Sequence, residues 1–171
     1  MTRILFKEEQ RFRQVWILFI LIASAGLWLF FMIWQGINEN LFTTKPEAAW
    51  ITLIVGIIPV VLIFLFLKMK LITVIDQQGV GCRFTILQKS FKRFEKDDIL
   101  SYEIRKYKPI QEYGGWGIRV SGGKKGTAYN VSGNMGLQLY MKNGKKFLIG
   151  TRQEVSLGRA MEKLMGKPGP E

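Results

Sequence analysis

The chain has 171 residues, with 25 Lys and Arg against 13 Asp and Glu, one cysteine and no histidine. That inventory excludes an intrachain disulfide, a zinc site of the usual ligand set and catalysis by Ser-His-Asp or Cys-His groups. The hydrophobic content of 48% hides an asymmetry: the apolar residues concentrate before Leu71, and most of the net charge of +12 comes after it.

Residues 1–14 form a basic N-terminal segment, with Arg3, Lys7, Arg11 and Arg13 against Glu8 and Glu9. Residues 15–34 then run without a charge, and residues 48–67 repeat the pattern. Each run matches the roughly 20 residues a helix needs to cross about 30 Å of hydrocarbon. A soluble core helix rarely stays uncharged on all faces over that length. The pattern predicts two transmembrane helices joined by a loop over 35–47. Trp16, Trp34 and Trp50 fall near the run ends, where indole rings favour the headgroup level, and are the predicted interface anchors. Trp28 falls inside the first run and calls for a packing partner. Gly26 and Gly56 lie 11 residues from the outer ends of their runs. An antiparallel hairpin therefore brings them to equal depth, and close approach of small residues predicts a contact there. Pro59 predicts a kink. Ala23-Ser24-Ala25 fits the signal-peptidase rule, but the apolar run continues through Trp34, so cleavage is not expected.

Lys and Arg flank the outer ends of the hairpin (Arg11, Arg13, Lys68, Lys70), while the loop carries only Lys45. The positive-inside rule then predicts a multi-pass protein of the cell (plasma) membrane, with both termini cytoplasmic.

Residues 68–165 read as a mainly-β domain, and 166–171 as a disordered tail. Ile72 and Val74 alternate with Thr73; Leu100, Tyr102 and Ile104 with Ser101 and Glu103; Ile118 and Val120 flank Arg119; Leu137, Leu139 and Met141 alternate with Gln138 and Tyr140. Period two is the signature of strands with one buried face. Gln77-Gln78-Gly79, Ser121–Gly126 and Asn143-Gly144 read as turns, the last as a type I′ hairpin. Thr151-Arg152-Gln153-Glu154 reads as a capping box. Leu157, Ala160, Met161 and Leu164 then form one apolar stripe of a helix, stopped by Gly166 and Pro168.

About seven antiparallel strands and a final helix give the layout of a pleckstrin-homology-like (PH-like) barrel, the helix closing one end. Three segments carry a closer likeness: Tyr113-Gly114-Gly115-Trp116-Gly117-Ile118-Arg119, Tyr129-Asn130-Val131-Ser132-Gly133 and Leu148-Ile149-Gly150-Thr151. With two spans in front, the chain resembles the small bacterial membrane proteins with PH-like domains. The resemblance implies a fold and a location, not a reaction.

The chemistry of the remaining residues is sparse. Asp97-Asp98 is an adjacent pair, and neighbouring strand residues point to opposite faces, so a shared metal is not expected. Gly117 and Gly122 have P-loop spacing, but Gly123 stands where the lysine must be. Gly114–Gly117 reads as a tightly bent lead into a strand, with Trp116 capping the barrel. Asn130-Val131-Ser132 is a formal glycosylation sequon, without meaning on a cytoplasmic domain. No cofactor, metal or catalytic residue is expected.

Basic residues among aromatics are the candidates for contact with an anionic surface: Lys89, Lys92, Arg93, Lys106, Lys108, Arg119, Lys124 and Lys125. A domain tethered to a bilayer meets anionic headgroups first, each Lys or Arg near the surface contributing about 1 kcal/mol. The expectation is a non-catalytic, membrane-anchored interaction module with lipid, a membrane protein partner, or both. An accessory subunit of a transport or envelope complex is the alternative, and an enzyme a remote one. Nucleic acid is a weaker reading of the same basic surface. The oligomeric state is not legible.

Overall fold

In the computed structural model, which describes residues 3–12, 14–38, 46–121 and 125–166, the two uncharged runs are helices. The first, α1, spans Val15–Asn38, and the second, α2, Pro46–Lys68. Both exceed the expected 15–34 and 48–67, and both are long and apolar enough to cross a membrane. Their apolar side chains point outward: none of the most apolar stretch of α1 is buried, and 11% of that of α2. The core helix of a soluble protein would show the reverse. Pro59 sits inside α2 without ending it. The loop is largely outside the described residues, as are Arg13, Lys45, Lys124 and the tail from Lys167.

The chain divides into two units, Arg13–Lys68 and a second made of Met1–Phe12 with Met69–Glu171. The basic N-terminal segment is thus more than a flank. Ile4–Arg11 forms strand β1, antiparallel to β2 (Lys70–Asp76), with Arg11 opposite Lys70. Its inward side chains are Phe6, Glu8 and Gln10, two of them polar, so no apolar alternation marks it in the sequence.

β1 and β2 continue into β3 (Gly79–Phe84) and β4 (Lys92–Glu95) as a four-stranded antiparallel meander. A short 3-10 turn (Lys96–Asp98) leads to the second sheet. That sheet has β5 (Ile99–Lys106), β6 (Gly117–Ser121), β7 (Gly126–Asn130), β8 (Met135–Met141) and β9 (Lys146–Thr151), in the order β5-β8-β9-β7-β6. All pairs are antiparallel except β7 with β9. A one-turn helix, α3 (Pro109–Tyr113), separates β5 from β6, and α4 (Glu154–Met165) ends the fold. The expected barrel of about seven strands, closed by the final helix, is corrected: among the described residues there are nine strands in two sheets that do not close into a barrel.

One core fills the space between the sheets and α4. Leu71, Ile75, Val80 and Phe84 come from the first sheet, Leu137, Leu139 and Ile149 from the second, and Leu157, Ala160, Met161 and Leu164 from α4. The helix stripe is the one its spacing predicts. Side chains bridge where strands do not. Gln10 Nε2 donates to Gly150 O at 2.7 Å, Thr151 Oγ1 to a Glu8 carboxylate oxygen at 2.7 Å, and Arg152 N–H to the other at 2.9 Å. This overturns the capping box. Thr151 is the last residue of β9; its hydroxyl donates to Glu8 and accepts from Gln153 N–H at 3.0 Å, and α4 starts at Glu154, after Gln153, with no side-chain cap. Three local readings also shift. Thr73 is fully buried along with Leu71 and Ile75 on β2, while Ile72 and Val74 are only half-buried. A bulge between Ile99 and Ser101 buries Ile99 and leaves Leu100 exposed. The turn after β8 closes by Gly144 N–H to Met141 O, with Gly144 at positive φ. It is therefore centred on Lys142-Asn143 rather than Asn143-Gly144.

Candidate functional site

The end of β5 runs into α3 through Tyr107 and Lys108. Pro109 pre-sets the first turn, Lys108 N–H donates to Glu112 Oε1 at 2.7 Å, and Gly114 ends the helix in the left-handed region at φ 72°. Gly115 and Gly117 are also at positive φ, so the chain bends sharply on both sides of Trp116. The result is a groove of about 590 Å³ lined mainly by Lys106, Tyr107, Pro109, Ile110, Trp116 and Asn134. That volume is within the range of small-ligand sites. Tyr107 is buried and meets Tyr113 edge-on, ring centres 6.2 Å apart. Burial pushes its hydroxyl up to about 12, so it stays protonated.

Charge at the groove is sorted by a fixed network. Arg105 Nη2 donates to Glu112 Oε2 at 2.9 Å and to Gln138 Oε1 at 3.1 Å; Gln138 Nε2 donates to Phe147 O at 3.2 Å. Burial would raise the Glu112 carboxyl. The bond from Arg105, the Lys108 amide and the nearby charge of Lys125 outweigh it and hold the carboxyl below the usual range. Glu112 is therefore an ionised, fully engaged anchor rather than a proton carrier. Lys106 and Lys108 are exposed and in no ion pair among the described residues, so the rim is cationic.

The three segments quoted above converge beneath this groove. Gly117 pairs with Asn130 and Tyr129 with Ile149. Asn130 Nδ2 donates to Gly115 O, and Gly150 lies against Asn130 and the Tyr107 hydroxyl so closely that a β-carbon would crowd both. Asn130 is fully buried, which removes the sequon from consideration. Trp116 lines the groove, half-buried, and is not a barrel plug.

The predicted contact residues fall in separate places. Lys106 and Lys108 line the groove. Arg119 and Lys125 are exposed on the β6–β7 hairpin, Arg119 Nε donating to Trp116 O at 2.9 Å. Lys124 lies outside the described residues. Lys89, Lys92 and Arg93 belong to the first sheet and its β3–β4 turn. Arg93 is already engaged, its Nη2 lying 2.8 Å from both carboxylate oxygens of Asp76. That pairing is not legible in the sequence, because it depends on how β2, β3 and β4 are registered. Cys82 is fully buried and burial pushes its thiol up to about 12, against the pull of Lys92.

In the hairpin unit, Trp16, Trp34 and Trp50 are exposed near the helix ends. The Gly26–Gly56 contact is replaced by another. Gly56 is buried under the Trp28 ring, while Gly26 is exposed, with open space at its β-carbon position. Trp28 Nε1 donates to Thr52 O at 2.9 Å.

No protein-family model, curated protein or solved structure matches the chain.

Proposed function

We propose that this chain is a non-catalytic, membrane-anchored interaction module that acts at the inner face of the plasma membrane by holding an anionic partner, lipid or protein. The observation that carries the reading is the pairing of β1 with β2. Arg11 lies four residues before α1 begins and Lys70 two after α2 ends, and they are neighbours in one sheet. Such pairing requires the outer ends of both spans on one face of the bilayer. The positive charges at those ends favour the cytoplasmic face. The domain is thereby held near headgroups with Lys106 and Lys108, in no ion pair among the described residues, on its groove.

The strand order supports the PH-like resemblance. With the β6–β7 hairpin set aside as an insertion, β1–β4 and β5-β8-β9 give four and three antiparallel strands, followed by α4. The likeness to the small bacterial membrane proteins rests on this order and on the convergence of the three quoted segments.

The test places a photo-crosslinking residue at Ile110, on the groove rim, in the full-length protein in native membranes. The expected result is capture of a lipid or protein that falls several-fold in high salt and in the double variant Lys106→Glu, Lys108→Glu. Capture indifferent to both changes would overturn the reading.

A further inference from the structure

The turn between β3 and β4, residues 85–91, presents three large apolar side chains to solvent: Ile86 is 42% exposed, Leu87 60% and Phe91 39%. The turn is fixed. Gln88 N–H donates to Phe84 O at 3.0 Å, and Gln88 Oε1 accepts from Phe84 N–H at 3.0 Å. One side chain thus ties the middle of the turn to the last residue of β3, and Ile86 and Leu87 are left outside. Arg83 lies over the Phe91 ring, 5.0 Å from its centre, and donates to Lys89 O at 3.3 Å. Lys89 and Lys92 are exposed beside them, with no ion pair among the described residues. An ordered apolar patch edged with cations is what a segment at a bilayer interface needs.

Covalent connection says which surface is in reach. Thr85 N–H donates to Lys70 O at 3.0 Å, and Lys70 N–H donates to Thr85 Oγ1 at 3.1 Å. Lys70 follows the last residue of α2, Lys68, by two positions. With at most 3.8 Å between successive α-carbons and about 5.5 Å across a paired strand, the chain itself keeps Ile86 within about 17 Å of Lys68. Arg11, which leads to α1, is paired with the same Lys70. The strand ends that carry the turn are the ends to which both helices are joined.

We infer that the 85–91 turn is an interfacial anchor, with Ile86, Leu87 and Phe91 entering the boundary between headgroups and acyl chains and Lys89 and Lys92 holding anionic headgroups. The inference rests on the membrane reading proposed above and adds a third attachment to the two helices.

The test uses the full-length protein in nanodiscs that contain acyl chains carrying a nitroxide quencher. A fluorophore is attached at Ser90→Cys, and in a second sample at Gln77→Cys, in the β2–β3 turn at the other end of β3. Cys82, buried and with its thiol pushed up to about 12, stays unlabelled and so also reports that each variant is folded. Lipid quenching is expected to be at least threefold stronger at position 90 than at 77. The variant I86S/L87S/F91S should lose most of it, and K89E/K92E should weaken it in anionic discs but not in neutral ones. Equal quenching at 90 and 77, or quenching at 90 unchanged by the three serines, would overturn the anchor. Loss of insertion with salt-sensitive capture from Ile110 intact removes this inference alone; loss of that capture with insertion intact removes only the proposed function.

Discussion

Trp28 donates its indole N–H to the carbonyl of Thr52, 2.9 Å away, across the two helices of the hairpin. The ring then lies over Gly56, one turn further along α2, where a β-carbon would come within 2.0 Å of it. A tryptophan in the middle of an apolar run is thereby given a partner for its one polar atom and a hole for its ring.

That arrangement predicts unequal glycines. Gly56→Ala forces the Trp28 ring out and breaks its bond to Thr52, at a cost of about 1–3 kcal/mol for overpacking. Gly26→Ala adds a methyl group where nothing stands within 4 Å and should change little. Thermal unfolding in detergent, compared between the two variants, checks this. Equal Tm values would show that the ring does not occupy that hole.

The β1 strand predicts how the domain can be freed from the membrane. A chain of residues 69–171 lacks Phe6, Glu8 and Gln10, which are buried on β1, and bares the edge of β2. Losing a buried phenylalanine alone costs about 3–5 kcal/mol, a large part of a small domain's stability. This chain should unfold without cooperativity or aggregate. Replacing residues 13–68 by a short Gly-Ser turn keeps Arg11 opposite Lys70 and should give a soluble domain with a single cooperative transition by circular dichroism. A cooperative transition in the 69–171 chain would show that β1 is dispensable.

Asp76 predicts an acid limb. Burial opposes its charged form. The bond from Arg93 and the amides of Gln78 and Gly79 outweigh that, and the carboxyl sits below its ordinary range. A carboxyl depressed in the folded state adds stability that is complete above its unfolded value of about 3.9 and is lost as pH falls through the folded value. Asp76→Asn in the Gly-Ser-joined domain should cost about 1.5–3 kcal/mol at pH 7. The gap from the parent should narrow below pH about 4 in urea titrations. A gap that stays constant down to pH 2 would mean the pair adds nothing through its charge.

What was legible followed from periodicity. The outward-facing helices and the α4 stripe each need only one spacing, so their residues could be assigned from sequence. β1 was hidden because its inward face holds Glu8 and Gln10, whose partners Thr151, Arg152 and Gly150 are some 140 residues away in the chain. Leu100 was misread because a bulge changes which residue of a strand faces in, and no local pattern announces a bulge. At the candidate site, Lys106, Lys108 and Trp116 were each singled out, but the groove was not. It exists through α3 and the network of Arg105, Glu112 and Gln138, which joins residues far apart in sequence.

The position of β1 also sets an order of events during synthesis. The strand leaves the ribosome before either helix, yet its one strand partner among the described residues, β2, is made after both. On the topology proposed above, β1 therefore waits unpaired on the side of its birth while the apolar segments are handed to the insertion machinery. Only when the hairpin has turned back can the sheet receive its first strand. The last steps of the fold thus act as a proofreader: a chain whose second helix fails to return would have its first and second strands on opposite sides of the bilayer, and its domain could never be completed.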